Sequence, residues 1–293
     1  MSGGSDGFYR YYIIPRQPLF GIETEREEAY FLAFGVPYDL TSSFRPGSRY
    51  GPETIRKFTA NIEVNSYFRD FDVVSARVHD LGDIAFDYRP SEMLKRVYRT
   101  VVKISGEGKI PVMLGGEHTF TLASVTALKG KNPVLVVFDA HLDLRDEYLG
   151  LRINHATYLR RLAERMPRLE VYVLGVRGYD REEIRYGMER GVKIFLCHNF
   201  MEGVKTLAEA VAGKNIYISL DIDVLDPSIA PGVGNPEAGG AGLTDVARAI
   251  HMLSAGKIVG LDLVEVSPLY DTGATAAAAS RLLVEMLAAA VKE

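Results

Sequence analysis

Val134 to Arg145 reads VLVVFDAHLDLR. The first five residues are apolar and mostly β-branched, the composition of a strand buried on both faces of a parallel sheet. At its carboxyl end stand Asp139, His141 and Asp143. In extended backbone alternate side chains share one side, so this spacing aims three metal-ligating groups at one point. Open α/β sheets bind ligands outside the carboxyl ends of their strands. An aspartate after a strand is also a common helix cap, and a lone histidine is commonly structural. What decides for a metal is that the design recurs. Asn215 to Pro227, NIYISLDIDVLDP, runs a strand into Asp221 and Asp223, and PVMLGGEH ends a short apolar strand at Gly115 and Gly116 and offers His118. Four aspartates and two histidines form a hard-to-borderline ligand set that suits Mn²⁺ better than a thiolate-selected zinc site.

The rest of the chain is read around that edge. Its 293 residues, 47% hydrophobic and 25% charged, suffice for one large α/β domain. A net charge of −4 and the lack of a basic cluster argue against a nucleic-acid partner. The single cysteine, Cys197, cannot form an internal disulfide, and no long uncharged apolar run suggests a membrane helix. MSGGSDGFYR has neither the basic start nor the apolar core of a signal peptide, so the expectation is a soluble cytoplasmic protein.

Residues 1–28 show no clear period and are read as an N-terminal arm, with one domain over 29–293. Strands are expected at 29–37, within 75–84, up to Leu114, and at 134–138, 170–175, 192–196, 216–220 and 257–264. Helices are expected between them, among them one opened by Pro52, one from Glu92 to Ile104, and ones capped by Asp180 and Thr244. His155 falls at a helix start in NHATYLRRLA, and the last strand delivers Glu265. Regular alternation of strands and helices predicts a three-layer α/β/α domain around a central, mostly parallel, doubly wound sheet.

At this point the residues resemble a family. GGEH (115–118), DAHLD (139–143) and SLDIDVLDP (219–227) resemble the three metal motifs of the ureohydrolases, the arginase and agmatinase family, whose fold is of the arginase/deacetylase type. GVPYD from Gly35, RPGSRYGP from Arg45, DLGD from Asp80, APGVGNPEAGG from Ala230 and EVSP from Glu265 are similar to its agmatinase branch. The resemblance implies two Mn²⁺ ions per subunit on His118, Asp139, His141, Asp143, Asp221 and Asp223. It also implies that Asp139 and Asp221 bridge, with His118 and Asp143 on one ion and His141 and Asp223 on the other. It makes His155 the proton shuttle and Glu265 the guanidinium-binding carboxylate, although Asn154-His155-Ala156 departs mildly from the family's Ser-His-Gly. A homo-oligomer, trimer or hexamer, is implied on the same ground.

Chemistry fits these residue types. A guanidinium carbon is a poor electrophile, and paired divalent cations can acidify a water enough to attack it. The amine leaving group needs a proton, and histidine suits that task. Arg145 stands where arginases carry an asparagine, which argues against arginine as substrate; Asp146 and Glu147 are candidate neighbours of a substrate ammonium. The reading is hydrolysis of agmatine to putrescine and urea, a polyamine-forming step. The alternatives are aminopropylagmatine ureohydrolase, arginase or guanidinobutyrase activity. An alternative of another class is a non-catalytic binding protein of the same fold.

Overall fold

A computed structural model describes residues 6–291. Its first half runs α1 (Asp6–Tyr12), β1 (Ile13–Ile14), β2 (Phe31–Val36), α2 (Gly51–Thr59), β3 (Val78–Ile84), α3 (Pro90–Gly106), β4 (Ile110–Gly115), α4 (Thr121–Ala127) and β5 (Val134–Phe138). The second runs α5 (Tyr158–Arg165), β6 (Val171–Val176), α6 (Arg181–Glu189), β7 (Lys193–Leu196), α7 (Phe200–Val211), β8 (Asn215–Asp221), α8 (Leu243–Met252), β9 (Lys257–Val264) and α9 (Ala274–Ala290). The nine strands form one sheet in the order β1-β3-β2-β4-β9-β8-β5-β6-β7, parallel throughout except for β1 against β3. The expected three-layer α/β/α fold is what forms.

Strand β5 shows why. All five of its residues are buried. Val134, Val136 and Phe138 pack with α7, α8 and α9 on one face, while Leu135 and Val137 pack with α3, α4 and α5 on the other. A strand covered on both faces has no polar side to present, hence its unbroken apolar run. The order β4-β9-β8-β5 sets four carboxyl ends side by side, and these carry His118, Glu265, Asp221 and Asp139 respectively.

The N-terminal segment from residue 6 is tied to this frame: Ile13 and Ile14 pair with Ile84 and Asp83. Residues 1–5 lie outside the described residues. Helix α8 starts after Gly242 rather than at a Thr244 cap, because Asp245 and Val246 donate to the Gly242 carbonyl. The helix expected from Asn154 begins at Tyr158, leaving His155 in the preceding turn. The Asp180 cap forms as a full capping box with Glu183. Among the described residues no helix is long and apolar enough to cross a membrane.

DLGD, one of the family-like stretches, has a structural use. Arg56, 2% exposed, donates to both oxygens of Asp80 (2.8 and 3.0 Å) and to Asp83 (2.6 Å), while Arg16 donates to the other oxygen of Asp83 at 2.7 Å. The planar fork of arginine matches this arrangement, and it locks α2 to β3. Replacing Arg56 with Met leaves buried Asp80 without its cation and Asp83 with Arg16 alone. Urea denaturation is expected to show a loss of roughly 3–5 kcal/mol, the usual cost of breaking a buried pair from one side.

Candidate metal centre

All six predicted ligands come together at one sheet edge. His118 Nδ1 lies 3.0 Å from Asp139 Oδ2, 3.2 Å from Asp221 Oδ2 and 3.5 Å from Asp143 Oδ2. His141 Nδ1 lies 2.9 Å from Asp223 Oδ2 and 3.6 Å from Asp139 Oδ1. Two overlapping groups emerge, His118 with Asp139 and Asp221, and Asp139 with His141 and Asp223, so Asp139 is shared. Asp143 joins the first through His118, and Asp221 falls in that group alone.

Alternation along an extended strand is not what gathers them. Asp143 has φ 52°, left-handed backbone, and Ile222–Val224 forms a tight 3₁₀ turn whose Asp223 amide donates to Asp221 Oδ1 at 2.9 Å. Side-chain acceptors turn the backbone at both places. Leu144 N donates to Glu183 Oε1 at 3.0 Å just after Asp143, and Ala140 N donates to Asp223 Oδ1 at 3.0 Å. The aspartates therefore converge through turns, at a strain that functional sites commonly store.

The donors suit cations. Burial, then the charge of neighbouring aspartates, pushes the Asp143 and Asp221 carboxyls well above their usual range. Burial would raise Asp139 too, but His118 and His141 hold it well below that range. His118 Nδ1 and Asp139 Oδ2 face each other and neither has a hydrogen bond, an orphaned buried pair that a cation between them would satisfy. The other ring nitrogen is fixed from behind. Asp262 receives hydroxyls from Ser219 (2.6 Å), Thr121 (2.9 Å) and Tyr217 (2.6 Å). With its proton on Asp262, Ser219 Oγ accepts from His118 Nε2 at 2.9 Å. That leaves the Nδ1 lone pair aimed at the aspartates, the arrangement by which backing groups orient a metal-binding imidazole.

A model of the arginase family matches residues 29–289. The chain belongs to the arginase family. It is therefore a ureohydrolase enzyme. It is 37% identical to the agmatinase of Bacillus subtilis (strain 168), covering 92% of this chain and 94% of that one. It is likewise 37% identical to the N(1)-aminopropylagmatine ureohydrolase of Thermococcus kodakarensis, over 92% and 93%. The crystal structure of the agmatine ureohydrolase of Thermoplasma volcanium superposes with a TM-score of 0.87 at 37% identity, covering 95% of each chain.

In this arginase-family site, a cavity of about 390 Å³ opens above the aspartates, and His155 and Glu265 both line it. Glu265 has φ 63°, and its Oε1 accepts from the His118 amide at 2.8 Å. Burial pushes its carboxyl up to about 8. Burial, followed by the charge of His141, pushes His155 down to about 4, so the ring is uncharged at neutral pH. Ser43 Oγ meets His155 Nε2 at 3.1 Å and accepts from Asn235 Nδ2 at 3.1 Å. Sequence reading passed over Ser43, Asn235, Ser219 and Asp262, each a small or strand-embedded polar residue with no spacing signal of its own. Asp146 and Glu147 line a smaller cavity beside Arg145 rather than the main one, and Asp146 binds Arg161 at 2.6 Å. His79 bonds the Thr24 carbonyl and His251 bonds Glu285, consistent with structural use.

Ser219→Ala is expected to weaken divalent-metal binding roughly 10–100-fold in a chelator competition, because it unties His118 from its backing. A pH dependence follows as well. Burial alone would lower the His118 pKa, but the adjacent Asp139 and the charges of Asp143 and Asp262 raise it to about 9. Below that value a metal must displace the proton, so affinity should rise with pH towards 9, and loading at pH 7 should release protons in calorimetry.

Proposed function

We propose that the enzyme hydrolyses agmatine to putrescine and urea on two Mn²⁺ ions held by His118, Asp139, His141, Asp143, Asp221 and Asp223. One observation carries the reading: a shared Asp139 joins two oxygen-rich ligand groups on the floor of a cavity whose wall carries Glu265. Asp139, shared by both groups, would hold both ions, and Asp221, grouped with His118, would hold at least the first. When bound, the two ions supply a water of lowered pKa to attack the guanidinium carbon.

The chain's own groups do the rest. Glu265 keeps Oε1 on the His118 amide, and its Oε2 faces Gly234, where it can accept a guanidinium N–H. A positively charged guanidinium and the nearby cations favour the ionised carboxylate despite its burial. His155, uncharged, can take a proton at Nε2, where Ser43 Oγ would become the acceptor, and give it to the departing amine.

The far end of the cavity disfavours an α-amino acid. Arg145 is engaged by Asp180 at 2.9 Å and Glu183 at 3.7 Å and stacks over Tyr148, so its charge is already answered. Relatives named agmatinase support the amine substrate, and the relative named N(1)-aminopropylagmatine ureohydrolase keeps a longer amine as the runner-up. The assembly we propose is a homotrimer or hexamer, readable by light scattering.

Kinetics of urea release from agmatine, aminopropylagmatine and arginine on one Mn²⁺-loaded preparation should rank agmatine first and arginine last. Asp139→Asn should reduce turnover of agmatine to background. Near-normal turnover in that variant contradicts the bridging assignment, and no urea from any guanidine favours a non-catalytic protein.

A further inference from the structure

The cavity floor is crowded with carboxylates whose partners are known. Its rim is less even-handed. Two guanidinium groups stand there, one held in ion pairs and one caged by backbone carbonyls. Arg145 is held by Asp180 and Glu183. Arg177 gives every N–H to backbone: Nε to Glu237 O (3.0 Å), Nη1 to Gly175 O and Val224 O (3.1 and 3.3 Å), and Nη2 to Asp223 O, Leu225 O and Glu237 O (2.7, 3.2 and 2.8 Å). Such a cage consumes the fork of the arginine and pins residue 237 to the turn that carries Asp223.

The acids of the rim differ among themselves. Glu183 receives the amides of Leu144 and Asp180, both at 3.0 Å, besides facing Arg145. Glu237 lines the same cavity, is exposed to it, and among the described residues has no hydrogen-bond or ion-pair partner for its carboxylate. Its main chain is clamped by Arg177, so the side chain projects from a fixed base. Gly178 gives it room: a Cβ there would meet His141 Cδ2 at 2.6 Å and Glu237 Cγ at 3.3 Å. Glu237 thus stands across Gly178 from a floor histidine. A four-carbon diamine-type chain carries its amine roughly 7 Å from the guanidinium carbon, at about 1.2 Å of reach per bond.

We propose that Glu237 is the specificity-determining carboxylate of this cavity, receiving the ammonium at the far end of an alkylguanidine substrate. The inference rests on the ureohydrolase reading above and adds the residue that reads the substrate's tail. An unpaired carboxylate beside one ion-paired and one backbone-caged guanidinium favours a cation at that depth over a carboxylate tail.

The test compares agmatine, butylguanidine (the same chain without the amine) and 4-guanidinobutyrate on the Mn²⁺-loaded wild type and on Glu237→Gln. Glu237→Gln is expected to lose roughly tenfold in kcat/KM on agmatine, mainly through KM, the usual worth of one charge-assisted hydrogen bond. Butylguanidine should be turned over unchanged, and Glu237→Lys should raise the rate on 4-guanidinobutyrate relative to agmatine. An agmatine-to-butylguanidine ratio equal in wild type and Glu237→Gln overturns the assignment, as does an equal loss on both substrates, which a merely structural role would give. Calorimetric binding of agmatine and butylguanidine to the same proteins reads the carboxylate even where no urea is released. Absence of urea from all three substrates counts against the hydrolase reading alone, while equal binding of the two ligands by wild type counts against Glu237.

Discussion

Four aspartates buried at one sheet edge repel one another unless positive charge sits among them. Everything else about the site is arranged around that constraint. Burial and mutual repulsion push Asp143 and Asp221 up, while His118 and His141 hold Asp139 well below its usual range against its burial. Each histidine therefore stands in for a missing positive charge. A stable fold tolerates this only because the surrounding frame is rigid: four parallel strands buried on both faces, with Asp262 behind Ser219 and His118 so that the imidazole cannot turn away.

The frame was legible in the chain because burial on both faces leaves a plain signature. Runs such as VLVVF and IYISL carry no charge and little polarity, and their ends coincide with the observed strands within a residue or two. The identity of the six candidate ligands was legible for the same reason, since each follows such a run. Their convergence was not. Alternation along extended backbone was the wrong device: Asp143 turns through left-handed backbone and Asp223 through a 3₁₀ turn. The turn at Asp143 depends on an acceptor far away in sequence, Glu183, and the amide of Ala140 on Asp223, so no local pattern announces the convergence. Gly51 shows a related limit. Its φ of −54° is helical, so what it provides is space, for a Cβ would meet the Val266 carbonyl at 2.7 Å.

Asp262 is the harder case. Within KIVGLDLV it looks like a polar interruption of a strand, and its chemistry becomes visible only where three hydroxyls from two other elements reach it. A buried carboxylate is costly unless satisfied, and three short hydroxyl bonds satisfy it. The polar group is thereby converted from a liability into a fixed acceptor, whose effect passes through Ser219 to the far nitrogen of His118.

The same logic joins the floor to the side that carries His155. Glu117, next to His118 in GGEH, is fully buried and receives the Thr41 amide at 2.9 Å and the hydroxyls of Thr41 and Thr119, both at 2.6 Å. It thus pins the long loop after β2 to the loop that carries a metal-facing histidine. Two residues beyond Thr41, Ser43 reaches His155, and Asn235 holds Ser43 from the loop after β8. Asp39 secures the other end of the loop by accepting the Gly47 amide at 2.7 Å. The placement of His155 over the floor is therefore not an independent feature of its own turn. It follows from two buried carboxylates that hold one loop at both ends, so the distance between the aspartate floor and His155 is set by packing beneath the cavity rather than within it.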